Sequence, residues 1–297
     1  MLESNSGRLV RFLTVVASAI VFSHPSAVQA YNFRIDDFQI IKNGSTLFDD
    51  SFTDGNPPPS APNFSSGASA SYVLNSGATV GPETGGKLTL DSSGAALAFN
   101  FNESRLFLTQ RATLLTSQTG GATGLNSNST FVVTGTFDLI LPGPIVVPGV
   151  NGDQYAVRLT DGTSTVEGND ILTMQVVRRS DGQLAIQFRH FDDAGNTNTL
   201  LAQTLLNPAH DQIALRLSHP SASNSTIFGS FAYIDGGVPG SFTTFGTTFD
   251  IFNGESFTRA GFEAATPTLA TPEPSSVLLL SCGLIALLGF FAKGSRQ

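Results

Sequence analysis

The strongest constraint on this chain is a two-residue alternation of apolar and polar side chains, repeated in about a dozen short runs through its central part. Phe131, Val133, Phe137 and Leu139 share one phase, and Thr134, Thr136 and Asp138 the other. Tyr155, Val157 and Leu159 alternate with Arg158 and Thr160. Leu172, Met174 and Val176 lead into Arg178-Arg179-Ser180-Asp181-Gly182, whose Asp-Gly pair signals a hairpin. Leu184, Ile186 and Phe188 then return with Gln187 and Arg189 in the opposite phase. Ile213, Leu215 and Leu217 flank Arg216, and Ile227, Phe231 and Tyr233 continue the pattern. A period of two puts each phase on one face of an extended strand, and a strand with one apolar face needs a second sheet to cover it. The alternation therefore predicts an all-β body, a two-sheet antiparallel sandwich, with a barrel as the alternative. Helices are expected only at the ends, as an N-terminal signal helix and a short C-terminal transmembrane helix.

Composition agrees with this reading and narrows the possible functions. Charged residues make up 13% of the chain, about half of the ~25% usual for soluble domains. Asp and Glu number 23 against 15 Lys and Arg, a net charge of −8, which argues against a general nucleic-acid-binding role. Cys282 is the one cysteine and lies near the C-terminus, so no disulfide staples the body and it must fold by burying its own core.

The two ends read as addresses. In residues 1–30, Arg8 and Arg11 precede an apolar stretch from Phe12 to Phe22, and Val28-Gln29-Ala30 offers a signal peptidase site before Tyr31. At the other end, Thr271-Pro272-Glu273-Pro274 is followed by an apolar run from Val277 to Ala292 and then by Lys293 and Arg296. The run is short for a membrane span, and the trailing basic residues favour a cytoplasmic tail. This order of motif, short span and basic end resembles the PEP-CTERM sorting signal of bacterial surface and exopolysaccharide-associated proteins. The resemblance implies recognition of Pro272, Glu273 and Pro274 by an exosortase, passage through an inner-membrane intermediate, and delivery to the cell surface or extracellular matrix. The expected organisation is a signal peptide over residues 1–30, a sandwich over 31–271 and a sorting segment over 272–297.

Leu47 to Asn56 resembles the opening of concanavalin-like jelly-roll modules, with Phe257 to Glu263 as a matching closing strand. A glycoside hydrolase on that fold needs paired carboxylates on one face. Glu255 and Glu263 have no carboxylate two or four residues further on. No Gly-x-Ser-x-Gly elbow is present, and His190, His210 and His219 have no metal-ligand spacing. No catalytic residue is therefore expected.

Two other features are candidates for chemistry. Asp36, Asp37, Asp49, Asp50 and Asp54 crowd one stretch, and their hard oxygens suit a structural calcium ion, with Asp49, Asp50 and Asp54 as ligands. Phe52 stands where an EF-type loop would need an oxygen, so any such site would have to draw on separate loops. Arg158, Gln175, Gln187, Arg189 and Arg216 all occupy the polar phase of central strands. If those strands are neighbours, the five make a patch able to hydrogen-bond a sugar or its acidic substituents. The chain lacks Trp and has only four Tyr, so aromatic sugar platforms are scarce. The reading is an exported, non-catalytic protein that binds or organises extracellular polysaccharide. A glycoside hydrolase and a purely structural adhesion module are the alternatives.

Overall fold

The alternating runs fold as strands, and the chain reverses where residues tolerate a positive φ. A computed structural model describes residues 32–55, 69–75, 79–91, 98–99, 107–117, 125–139, 154–160, 171–192, 197–248, 252, 257 and 259–269. The expected signal segment with Ala30 and Tyr31, and the expected sorting segment with Pro272, Glu273 and Pro274, lie outside the described residues.

Strands are numbered in chain order. The first sheet contains β1 (Asn32–Lys42), β2 (Ser45–Asp50), β4 (Thr79–Glu83), β5 (Leu88–Asp91), β8 (Phe131–Asp138), β13 (Gln212–His219), β14 (Ile227–Asp235), β15 (Val238–Pro239) and β16 (Thr243–Thr248). The second contains β3 (Ser69–Asn75), β6 (Ala98–Phe99), β7 (Phe107–Ser117), β9 (Gln154–Thr160), β10 (Ile171–Arg178), β11 (Leu184–Asp192), β12 (Thr197–Leu205) and β17 (Arg259–Leu269). The first sheet runs β15-β14-β13-β8-β1-β5-β4, with β16 on β14 and β2 on β1. The second runs β12-β11-β10-β9-β17-β7-β3, with β6 on β7. The observed architecture is thus the two-sheet antiparallel sandwich that the alternation predicts.

Turn chemistry sets the local registers. Asn43 and Gly44 take φ of 50° and 75° between β1 and β2, the pair of positive values that a tight hairpin requires. The Asn43 side-chain oxygen also accepts the Thr130 backbone N–H at 2.9 Å, tying this turn to the start of β8. Between β10 and β11, the Arg179 N–H donates to the Gln183 carbonyl at 2.8 Å, and Asp181 Oδ1 accepts the Gln183 N–H at 3.0 Å. This is the Asp-Gly hairpin read from the sequence.

The core lies between the sheets. Phe33, Ile35, Phe38, Ile40, Val133, Phe137 and Leu215 reach in from the first sheet, and Tyr155, Val157, Leu159, Met174, Phe188 and Phe262 from the second. Phe38 meets Phe262 edge-on at 5.0 Å, and Phe137 stacks on Tyr155 at 4.8 Å. Burying each such side chain contributes roughly 1.5–3 kcal/mol, so a core of this size needs no disulfide. Gly135 is required for fit: a Cβ there would stand 2.9 Å from Val157 Cγ2 of the opposite sheet.

The expected opening and closing segments of a jelly roll are not neighbouring strands of one sheet. β2 pairs with β1 in the first sheet, and β17 pairs with β9 in the second. They meet across the core, where Phe52 packs edge-on against Phe262 at 6.0 Å.

Candidate functional site

The outer face of the second sheet carries a connected set of polar side chains. In register, Arg158 lies beside Thr173 and Gly261, Gln175 beside Gln187, and Gln187 beside Gln203. Paired residues share a face, so one row of polar side chains crosses β9, β10, β11 and β12.

Hydrogen bonds link the row from strand to strand. Thr173 Oγ1 donates to Gln175 Oε1 at 3.3 Å, and Gln175 Nε2 donates to Gln187 Oε1 at 3.0 Å. Gln187 Nε2 donates in turn to Gln203 Oε1 at 2.6 Å. Arg189 joins from the side: Nε donates to Gln187 Oε1 at 2.8 Å, and one terminal nitrogen donates to Asn198 Oδ1 at 2.7 Å.

At the inner end of the row, Arg158 forms an ion pair with Glu263 of β17, and Gln154 Nε2 donates to the other Glu263 oxygen at 3.3 Å. The Arg158 and Glu263 side chains are 1% and 4% exposed. A charge so far from water is tolerated because its counter-charge is held against it. These positions belong to the outer phase, as the alternation predicts. Yet Arg158, Gln175 and Gln187 are buried rather than presented to solvent. Among the described residues the row is most open towards the edge strand β12, where Asn198 and Gln203 are exposed and Arg189 is half-buried.

A bulge makes that exposed end possible. Asn198 and Gln203 are an odd number of residues apart and would face opposite ways on a regular strand. The β11–β12 register slips between Phe188 and Arg189, so that Phe188 faces Ala202 while Arg189 faces Leu200. The extra residue, Leu201, packs with Ala202 against the core. Asn198, Leu200, Gln203 and Leu205 therefore share the outer face. Gly246 of β16 backs the bulge: its φ is +71°, and a Cβ there would meet Phe188 and Ala202 at 2.8 and 2.9 Å.

Of the five candidate binding residues, Arg158, Gln175, Gln187 and Arg189 come together on this face. Arg216 does not join them, because it lies on β13 in the first sheet. Its guanidinium carbon sits 3.3 Å from the centroid of the Phe242 ring, its Nε donates to Thr134 Oγ1 at 3.3 Å, and burial lowers its pKa. Asn198, Gln203, Glu263 and Gln154 are members of the row that the sequence did not single out. The Glu263 partnership with Arg158 spans 105 residues, beyond the reach of any local spacing rule.

The acidic stretch gathers in space together with Glu83. Burial, and then the nearby charges of Asp49, Asp36 and Asp50, push the Asp37 pKa up to about 6. Burial, Asp50 and a hydrogen bond with Asp54 push Glu83 up to about 7. Asp50 is buried and its Oδ1 accepts the Phe52 N–H at 2.8 Å, while Asp49 and Asp54 are exposed. Among the described residues, no group of three or more His, Cys, Asp or Glu side chains is arranged to hold a metal ion.

The histidines are dispersed. His219 is fully buried, with Nδ1 2.6 Å from the Ser129 carbonyl oxygen and Nε2 2.7 Å from that of Asn224. His210 stacks on Tyr233 at 4.2 Å and has Nδ1 2.8 Å from Asp235 Oδ2. His190 points into the inner phase of β11, as the alternation predicts.

No family model matches the chain, and no curated protein matches it. Among solved structures it is similar to the CBM2 module of the Lactobacillus casei BL23 phage J-1 evolved Dit, at 12% identity and a TM-score of 0.43, over 79% of this chain and 89% of that one. It is also similar to a GH43_12 retrieved from capybara gut metagenome, at 10% identity and a TM-score of 0.40, over 75% of this chain and 35% of that one.

Proposed function

We propose that this chain is an exported, non-catalytic β-sandwich protein that binds extracellular polysaccharide through the outer face of its second sheet. The observation that carries the reading is the hydrogen-bonded row from Gln175 through Gln187 to Gln203, with Arg189 joined to it and to Asn198. Polar side chains locked by one another present a fixed pattern to a ligand and lose little freedom when it binds. The one strongly buried cation of the row, Arg158, is held by Glu263, so that carboxylate serves the framework. In this reading, Pro272, Glu273 and Pro274 direct the protein through an exosortase to the surface or matrix.

The test is retention of the full chain on a panel of immobilised neutral and acidic polysaccharides, with released sugars monitored. The wild-type chain is expected to be retained without releasing sugar. Arg189→Ala is expected to abolish retention, whereas Arg216→Ala, on the other sheet, is expected to leave it unchanged. Release of sugar would favour a glycoside hydrolase. No retention on any polysaccharide would favour a structural adhesion module.

A further inference from the structure

We infer that the exposed end of this row, whose outward side-chain amide groups are donors, is selective for anionic glycans, those carrying carboxylate or sulfate groups. The inference rests on the polysaccharide-binding reading and adds the ligand class and the residues that set it.

Arg189 dictates the orientation of every amide around it. A guanidinium has N–H donors and no acceptor, so the atom of an amide that it bonds must be the oxygen. Its Nε fixes Gln187 Oε1, and its terminal nitrogen fixes Asn198 Oδ1. Gln187 then has only its NH2 group to offer Gln203, which fixes Gln203 Oε1 as the acceptor of that 2.6 Å bond. Asn198 and Gln203 are therefore left with Nδ2 and Nε2 as their outward groups, and among the described residues no side chain accepts from either.

The exposed end thus offers two amide NH2 groups beside an arginine, with both amide oxygens turned inward. A neutral sugar hydroxyl is donor and acceptor at once and gains least from such a surface. An anionic oxygen only accepts, and its charge-assisted bonds are roughly twice as strong as neutral ones. The two amides lie roughly 14 Å apart along β12, room for more than one sugar unit. Leu200, 43% exposed, stands between them on the same face and offers an apolar patch for a ring's C–H groups. The protein as a whole carries −8, so selectivity depends on this local donor set and not on long-range attraction.

Two isosteric substitutions test the effect. Asn198→Asp and Gln203→Glu keep the oxygen that Arg189 or Gln187 bonds, replace the outward NH2 donor by an acceptor oxygen, and add one negative charge each. Both sites are exposed, so the core is untouched. Binding of the full chain would be measured at about 0.15 M salt to polygalacturonate, its methyl ester, dextran sulfate and dextran. The expected result is binding to polygalacturonate or dextran sulfate, with the two arms showing which anion is preferred. Dextran and the methyl ester should bind roughly tenfold more weakly, and each substitution should weaken polyanion binding by a similar factor. Equal binding of dextran, or polyanion binding that ignores both substitutions, would overturn the inference and leave the polysaccharide reading standing. Binding to none of the four, nor to any other polysaccharide, would overturn both.

Discussion

Arg158 of β9 and Glu263 of β17 form an ion pair on the outer face of the second sheet, with both side chains almost wholly removed from solvent. Glu263 holds the only full positive charge at the buried end of a row whose other members there, Gln154, Thr173, Gln175 and Gln187, are neutral. Breaking the pair from either side strands a charge where water cannot solvate it. Glu263→Gln or Arg158→Met is therefore expected to cost about 3–5 kcal/mol. Thermal melting should show a fall of roughly 6–20 °C for a domain of this size. The double variant Arg158→Met, Glu263→Leu should recover most of that loss, because neither charge is then left alone. A double variant as unstable as the worse single one would contradict this account.

The acidic cluster sets the sign of one pH effect. Asp37 and Glu83 have folded-state pKa values raised to about 6 and about 7 from ordinary values of 3.8 and 4.5. Between the unfolded and folded values, the folded chain holds protons that the unfolded chain has lost. These two groups therefore lower stability as pH rises from about 4 to about 7, and protonation restores it on acidification. Asp37→Asn and Glu83→Gln should each flatten the fall in melting temperature across that window. A wild-type profile parallel to those of both variants would contradict the assignment.

Glycine at position 246 is expected to be indispensable for the bulged edge. Gly246→Ala meets both a positive φ and two side chains closer than 3 Å. The backbone term alone is about 1–2 kcal/mol, and overpacking adds about 1–3 kcal/mol. Gly44→Ala has a similar φ of +75° with no atom within 4 Å, so it should show the backbone term only. Denaturant unfolding of the two variants separates the contributions. Equal losses would mean that Phe188 and Ala202 yield freely.

The fold was largely legible because its determinant is local. Val133, Val157, Met174, Phe188 and Leu215 each declare their face by alternation, and each lies in the core. The Asp181-Gly182 turn declared its own hairpin. The site was only half legible, for three physical reasons. Alternation assigns a face but not its exposure, so Gln175 and Gln187 read as surface residues while lying buried. It does not assign a sheet, so Arg216 looked equivalent to Arg189 although β13 and β11 belong to different sheets. It also fails at a bulge: Asn198 and Gln203 have opposite parity in sequence and share a face only because Leu201 is inserted between their registers. The Glu263 partner of Arg158 follows from strand order, which no short segment specifies.

The central claim is that ligand meets this protein at the β12 end of the polar row. The most direct test follows backbone and side-chain N–H signals by NMR while a soluble fragment of a retained polysaccharide is added. The account predicts that Asn198 and Gln203 shift first and furthest, with Gln187 following through its bond to Gln203. The Arg216 signals on the opposite sheet should stay in place. Shifts centred on Arg216 and Phe242, with Asn198 and Gln203 unmoved, would contradict it.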